Sequence, residues 1–240
     1  MSRMPSPYAN SIPNARGDSQ VGSSVLVAFF NTVYAWMATG LALTAVVAWW
    51  VSTQPQLVAR LGMGTFIVLF IIQIGLVIAI SAAINKINAT VATALFLLYA
   101  ALNGVTLSGI FLIYSQASLA GAFFVTAGMF GAMSVVGFVL KTDLTRFRNL
   151  FMMALIGFVI ASVVNIFFAS STMYWIITYA GVVIFTGLTA YDTQRLKQIA
   201  YATAGDPRMA SRLAISGALS LYLDFLNLFL MMLRIMGTRR

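Results

Sequence analysis

The chain has 240 residues, of which 14 are Lys or Arg and 5 are acidic, giving a net charge of +9. Apolar residues make up 61% and charged residues 8%, against roughly 45–50% and roughly 25% in ordinary soluble domains, and few soluble folds can be built from that. Histidine and cysteine are absent, which removes disulfides, thiolate or imidazole metal sites and the usual Cys/His or Ser/His/Asp catalysis; with no nucleophile and base in view, an enzyme is not expected.

Residues 1–24 carry Pro5, Pro7 and Pro13 among Ser, Asn and Gly without apolar periodicity, and the composition predicts a disordered polar tail. A cleavable signal peptide would place a short apolar run directly behind its first positive charges, so the first span, from Leu26, is expected to be retained. Near-continuous apolar stretches then follow at about 26–50, 65–84, 90–113, 119–140, 149–169, 173–191 and 213–236. Each is near the roughly 20 residues that cross a hydrocarbon core as a helix. Residues 25–237 are therefore expected to form one all-α integral membrane domain of seven transmembrane helices in a lipid bilayer. Its longest polar connection lies at about 192–212.

The positions of the charges matter more than their sum. Arg3, Arg16, Lys86, Lys141, Arg146, Arg148, Arg195, Lys197, Arg208 and Arg212 fall on one side of a seven-span arrangement, and Arg60 on the other. The positive-inside rule makes the N-terminus cytoplasmic. No aromatic-interleaved basic face is present, so nucleic acid is not an expected partner. The C-terminal Arg234, Arg239 and Arg240 fit the rule if the last segment re-enters, whereas its length of roughly 24 residues is ample for a full crossing; the side of the tail stays open. Small residues at helical spacing, Gly104 with Ser108, Ala127 with Gly131, and Ser134 with Phe138 beside Gly137, predict close helix packing. Trp49, Trp50 and Trp175 stand near segment ends as interfacial anchors.

The chemistry concentrates on two aspartates in the last two segments, Asp192 and Asp224, in a chain without glutamate. A carboxylate in a membrane span is costly and faces a bundle interior or a water-filled cavity, which makes both positions functional-site candidates. Ser220, Asp224 and Asn227 follow at i, i+4 and i+7 and share one helical face. Plainer readings remain beside this one. Asp192 could be an interfacial charge paired with Arg195, Asp224 a hydrogen-bonded structural residue, and Tyr191 and Tyr222 packing residues. Asp143 reads as a loop or cap charge and Asp206-Pro207 as a turn. Depth is a further question: Asp192 is three residues from Arg195 and Asp224 twelve from Arg212, roughly 4.5 Å and roughly 18 Å along straight helices. Pairing requires the sixth helix to extend its charged end within the protein, or the seventh to begin nearer Gly217.

The stretch Thr189-Ala190-Tyr191-Asp192-Thr193-Gln194, then Leu221-Tyr222-Leu223-Asp224-Phe225-Leu226-Asn227-Leu228-Phe229-Leu230, with Leu233-Arg234-Ile235-Met236-Gly237 after it, resembles the Bax inhibitor-1 family, nearest its bacterial inner-membrane members. The likeness covers about residues 25–237. It implies a seven-helix fold with the last helix central and surrounded by the other six. It also implies a pH-sensitive calcium leak gated by two aspartates that share a proton, positions that fall on Asp192 and Asp224, with calcium as a transported ion and no resident cofactor. Two close carboxylates cannot both ionise cheaply, so such a pair takes up and releases protons as a unit. Calcium prefers the oxygen ligands that carboxylates, Asn227 and backbone carbonyls supply. The family pattern adds a basic latch near the cytoplasmic end of the second helix, for which Lys86 is the nearest candidate, and some members carry a carboxylate within that helix, where this chain has Gln73. Some bacterial relatives are associated with regulation of a quality-control protease. A non-conducting membrane partner that modulates another membrane protein is therefore the alternative function. The bacterial inner (plasma) membrane is the expected location.

Overall fold

The computed structural model describes residues 15–54, 56–57, 62–84 and 86–239. Seven long helices follow in order: α1 Ala15–Ser52, α2 Met63–Ala83, α3 Ala89–Ile113, α4 Gln116–Val139, α5 Arg148–Phe168, α6 Ser171–Ala202 and α7 Pro207–Met236. A one-turn 3-10 helix, Leu144–Phe147, precedes α5. Each of the seven is long and apolar enough to cross a membrane. The chain is an all-α membrane protein.

The starts of the helices are written in single polar residues. Asn88, Ser115, Ser170 and Asp206 each turn a side-chain oxygen onto a first-turn amide of α3, α4, α6 and α7, satisfying donors that have no carbonyl partner at a helix start. Pro207 occupies the first turn of α7, where its missing N–H costs nothing. The Gly205-Asp206-Pro207 turn is thus also a helix cap, and Asp143 caps the 3-10 helix. Inside the spans Thr126, Thr178, Thr189 and Thr193 each donate to the carbonyl four residues back. Such local bonds satisfy these hydroxyls where no water is available.

Three boundaries differ from the sequence expectation. α1 starts at Ala15, so 15–24, expected within the polar tail, is helical, while residues 1–14 lie outside the described residues. α6 runs on to Ala202 and α7 begins at Pro207, so most of the expected connection at 192–212 is helix. The continuation holds because Leu196 and Ala200 keep a buried stripe at i and i+4 while Arg195 and Gln198 are exposed.

The last helix is the central one. More of α7 is buried than of any other span, and it packs chiefly against α1, α3, α4 and α6, with α2 stacked on α3 and α5 on α6. A hydrogen-bond chain pins the centre. Thr44 of α1 donates to the Ala100 carbonyl of α3 at 2.8 Å, and the Tyr222 hydroxyl of α7 lies 2.7 Å from the same threonine oxygen. Because the threonine proton is committed to Ala100, the tyrosine is the donor. Gln73, buried in α2, donates to Thr106 of α3 at 2.6 Å.

Small residues act unevenly. At Gly104 an added Cβ would meet Val47 and the Thr44 carbonyl, and at Gly137 the backbone of Ala190; both are close approaches that glycine permits. Gly131, grouped with them by spacing, faces open space. The segment after α7 returns against the start of α4: the Thr238 amide donates to Ser118 Oγ at 2.9 Å, and Arg239 pairs with Tyr114. Arg234 lies 5.1 Å over the Tyr174 ring. α7 therefore crosses fully, and its tail sits at the end of the bundle opposite Lys141, Arg195 and Arg212.

Candidate functional site

α6 and α7 run antiparallel, and their register decides whether the two aspartates can meet. Gly217 lies against Leu196 and Gly181 against Met231. That places Asp192 level with Ser220 and Leu221, with Asp224 about one helical turn, roughly 5 Å, farther along α7. The depth difference raised by the sequence shrinks to a single turn because α6 carries its charged end onward inside the protein.

Asp192 lines a cavity of about 330 Å³ with Ser81 of α2, Ile84 just after it, Arg195 of α6, and Ser216 and Ser220 of α7. Arg195 is the cation whose charge acts on Asp192. Asp224 stands deeper, does not line the cavity, and is 5% exposed. Its charged neighbour through space is Asp192, and its Oδ2 has no hydrogen-bond partner. Thr186 Oγ1 on α6 is a second buried oxygen without one.

The structure thus brings Asp192, Arg195 and Ser220 to one cavity, with Asp224 behind them. It does not bring in the other two expected residues. Asn227 donates its amide to the Leu223 carbonyl of its own helix at 2.8 Å. Lys86 lines a separate groove with Asn88, Arg208 and Arg212. Tyr222 spends its hydroxyl on Thr44, and Tyr191 packs its ring 5.4 Å from Phe151, so both act in packing.

Some participants were not singled out from sequence. Ser216 lies one turn before Ser220, and extending the polar stripe by i−4 would have found it. Ser81 is one serine in an apolar helix and carries no such signal. Gln194 accepts from the Leu144 amide at 2.6 Å and donates to the Thr142 carbonyl at 2.8 Å, fastening the α4–α5 connection to α6 beside Asp192. Among the described residues no three His, Cys, Asp or Glu side chains gather as a metal cluster.

A family model described as "Inhibitor of apoptosis-promoting Bax1" matches residues 26–240. The chain is 51% identical over 220 residues to the inner membrane protein YbhL of Escherichia coli (strain K12), covering 90% of this chain and 93% of that protein. It is 47% identical over 214 residues to an uncharacterized protein of Borreliella burgdorferi, covering 88% and 92%. A protein of Deinococcus radiodurans is 44% identical over 211 residues, with 88% and 90% covered. With one family model spanning all seven helices and relatives aligned along nearly their whole length, the chain belongs to the Bax inhibitor-1 family.

Proposed function

We propose that the protein is a pH-sensitive cation leak of the bacterial inner membrane, with calcium as its substrate and Asp192 and Asp224 as a proton-sharing gate. The observation that carries this reading is the Asp224 Oδ2, buried without a donor, with the charge of Asp192 acting on it. An acceptor in that position either carries a proton or is met by a cation, since an unpaired charge away from water is costly.

The donor set suits a hard cation in passage. Calcium takes 6–8 oxygen ligands, and the cavity offers the Asp192 carboxylate and the hydroxyls of Ser81, Ser216 and Ser220 before Asp224 is reached. Two carboxylates are too few for a tight resident site and enough for a transient one. A single proton between them keeps α6 and α7 together, and its loss leaves two like charges that separate the helices or admit a cation. Arg195, at the cavity, competes for Asp192 and sets when that happens. The positive-inside rule puts the end bearing Lys141, Arg195 and Arg212 in the cytoplasm, so the cavity opens inward. No enzymatic step is assigned.

The test is calcium entry into proteoliposomes loaded with a calcium dye. The leak reading expects entry above that of empty vesicles, and entry that depends on pH. If well-folded protein admits no more calcium than empty vesicles at every pH tried, the reading fails. The alternative of a non-conducting partner of another membrane protein would then take its place.

A further inference from the structure

The bundle is open to the side between α1 and α4. The two helices touch through Phe30 and Phe138, whose rings meet edge to face at 5.4 Å. Farther in, a groove of about 620 Å³ separates them, floored by Phe225 of the central helix. It runs from Leu26 to Met37 on α1 and from Phe138 back to Ala127 on α4, roughly 16 Å at 1.5 Å per residue. That is about half of a hydrocarbon core of about 30 Å, so the groove occupies one leaflet, beginning at the basic end of the bundle.

Its polarity is graded along its length. At the mouth, the Lys197 ammonium donates to the Phe138 carbonyl at 2.9 Å and lies 4.8 Å over the Phe138 ring. About one turn inward, roughly 6 Å, Asn31 and Ser134 stand on opposite walls. The Ser134 hydroxyl is buried and has no hydrogen-bond partner. The inner half is lined by Tyr34, Met37, Ala127, Phe130 and Phe225 and is apolar apart from the Tyr34 hydroxyl.

The occupant must come from the bilayer, because the groove faces hydrocarbon. Its volume over its length gives a mean cross-section of about 40 Å². A trough of that section, open along its side, suits an extended acyl chain. The order cation, polar pair, apolar trough matches the order phosphate, ester, hydrocarbon. We propose that the α1–α4 groove is a binding site for a glycerophospholipid. The phosphate lies at Lys197, the ester linkages at the level of Asn31 and Ser134, and an acyl chain runs past Gly131 to Phe225. This site stands independently of the leak reading.

The glycines of α4 supply the test. A Cβ added at Gly131, on the groove wall, meets nothing within 4 Å, and the same is true of Gly128, which does not line the groove. The full chain would be reconstituted in phosphatidylglycerol vesicles containing a phosphatidylglycerol with a photoactivatable acyl chain, and the adducts mapped. Adducts concentrate on 26–37 and 127–138, fall several-fold in Gly131→Phe, and stay unchanged in Gly128→Phe. Val135→Trp, at an exposed wall position, lowers them too and covers the case in which Gly131→Phe does not fold. Excess inorganic phosphate leaves the labelling unchanged. Adducts spread evenly over outward residues such as Phe124 and Phe167, indifferent to position 131, would overturn the site, as would displacement of the lipid by inorganic phosphate.

Discussion

Asp143 sits at the turn between α4 and α5, where its carboxylate accepts from the Thr145 amide at 2.9 Å and the Thr145 hydroxyl at 2.6 Å. These donors, the side-chain bond first, hold its carboxyl below the ordinary value of 3.8. A depressed carboxyl contributes stability that is fully present above the unfolded value and lost as pH falls through the folded one. Hydrogen-exchange protection at the Thr145 amide should therefore decline on acidification below about pH 4, and Asp143→Asn should remove that decline; protection unaffected by acid in the native protein would contradict it. Asp143 was readable as a cap because a short acidic side chain before a turn has few other uses. Asp192 and Asp224 were readable because carboxylates in apolar segments are rare. Thr44 and Gln194 were not, since neutral polar residues occur throughout membrane helices and only the interhelical register tells which of them meets a partner. The same holds for Lys86: the family pattern of a basic latch near the end of the second helix suggested it for the aspartates, but it lines a groove with Arg208 and Arg212.

Element lengths followed from apolar run lengths, because a bilayer of fixed thickness leaves little choice. The exception is instructive: the charges at Arg195 and Lys197 read as the end of α6, yet the helix continues because its other face stays apolar. That continuation brings Asp192 within a turn of Asp224. Glycine spacing was less informative, since it shows which residues share a face but not what the face meets. Gly137 rests on the Ala190 backbone, which cannot yield as a flexible side chain would, whereas Gly128 faces outward. Gly137→Ala should destabilise the α4–α6 contact by about 1–3 kcal/mol, the usual cost of overpacking. Gly128→Ala should be neutral or stabilise by up to about 1 kcal/mol through helix propensity. Unfolding in mixed detergent micelles distinguishes the two; equal effects would mean that α4 and α6 are not held at that crossing.

At the scale of the molecule, charge is divided between the two ends of a helical bundle, and the described C-terminal arginines are exceptions held by aromatic partners. Arg234 lies over Tyr174, and Arg239, hydrogen-bonded to Tyr114 first and Tyr174 second, is held more firmly protonated than usual. A full crossing of α7 is thereby compatible with a charge distribution that otherwise favoured re-entry. It also puts the polar stripe of the most buried helix against α6, so the last segment becomes both the structural centre and the carrier of Asp224. The proposed gate consists of this pair, so the pH dependence of the proposed leak should rest on Asp192 and Asp224. The most direct measurement is calcium flux in proteoliposomes between about pH 6 and 8 for the native protein, Asp192→Asn and Asp224→Asn. The native protein should show a flux that changes with pH, and each variant should lose that change. Folded variants that keep the native pH profile would contradict that gate.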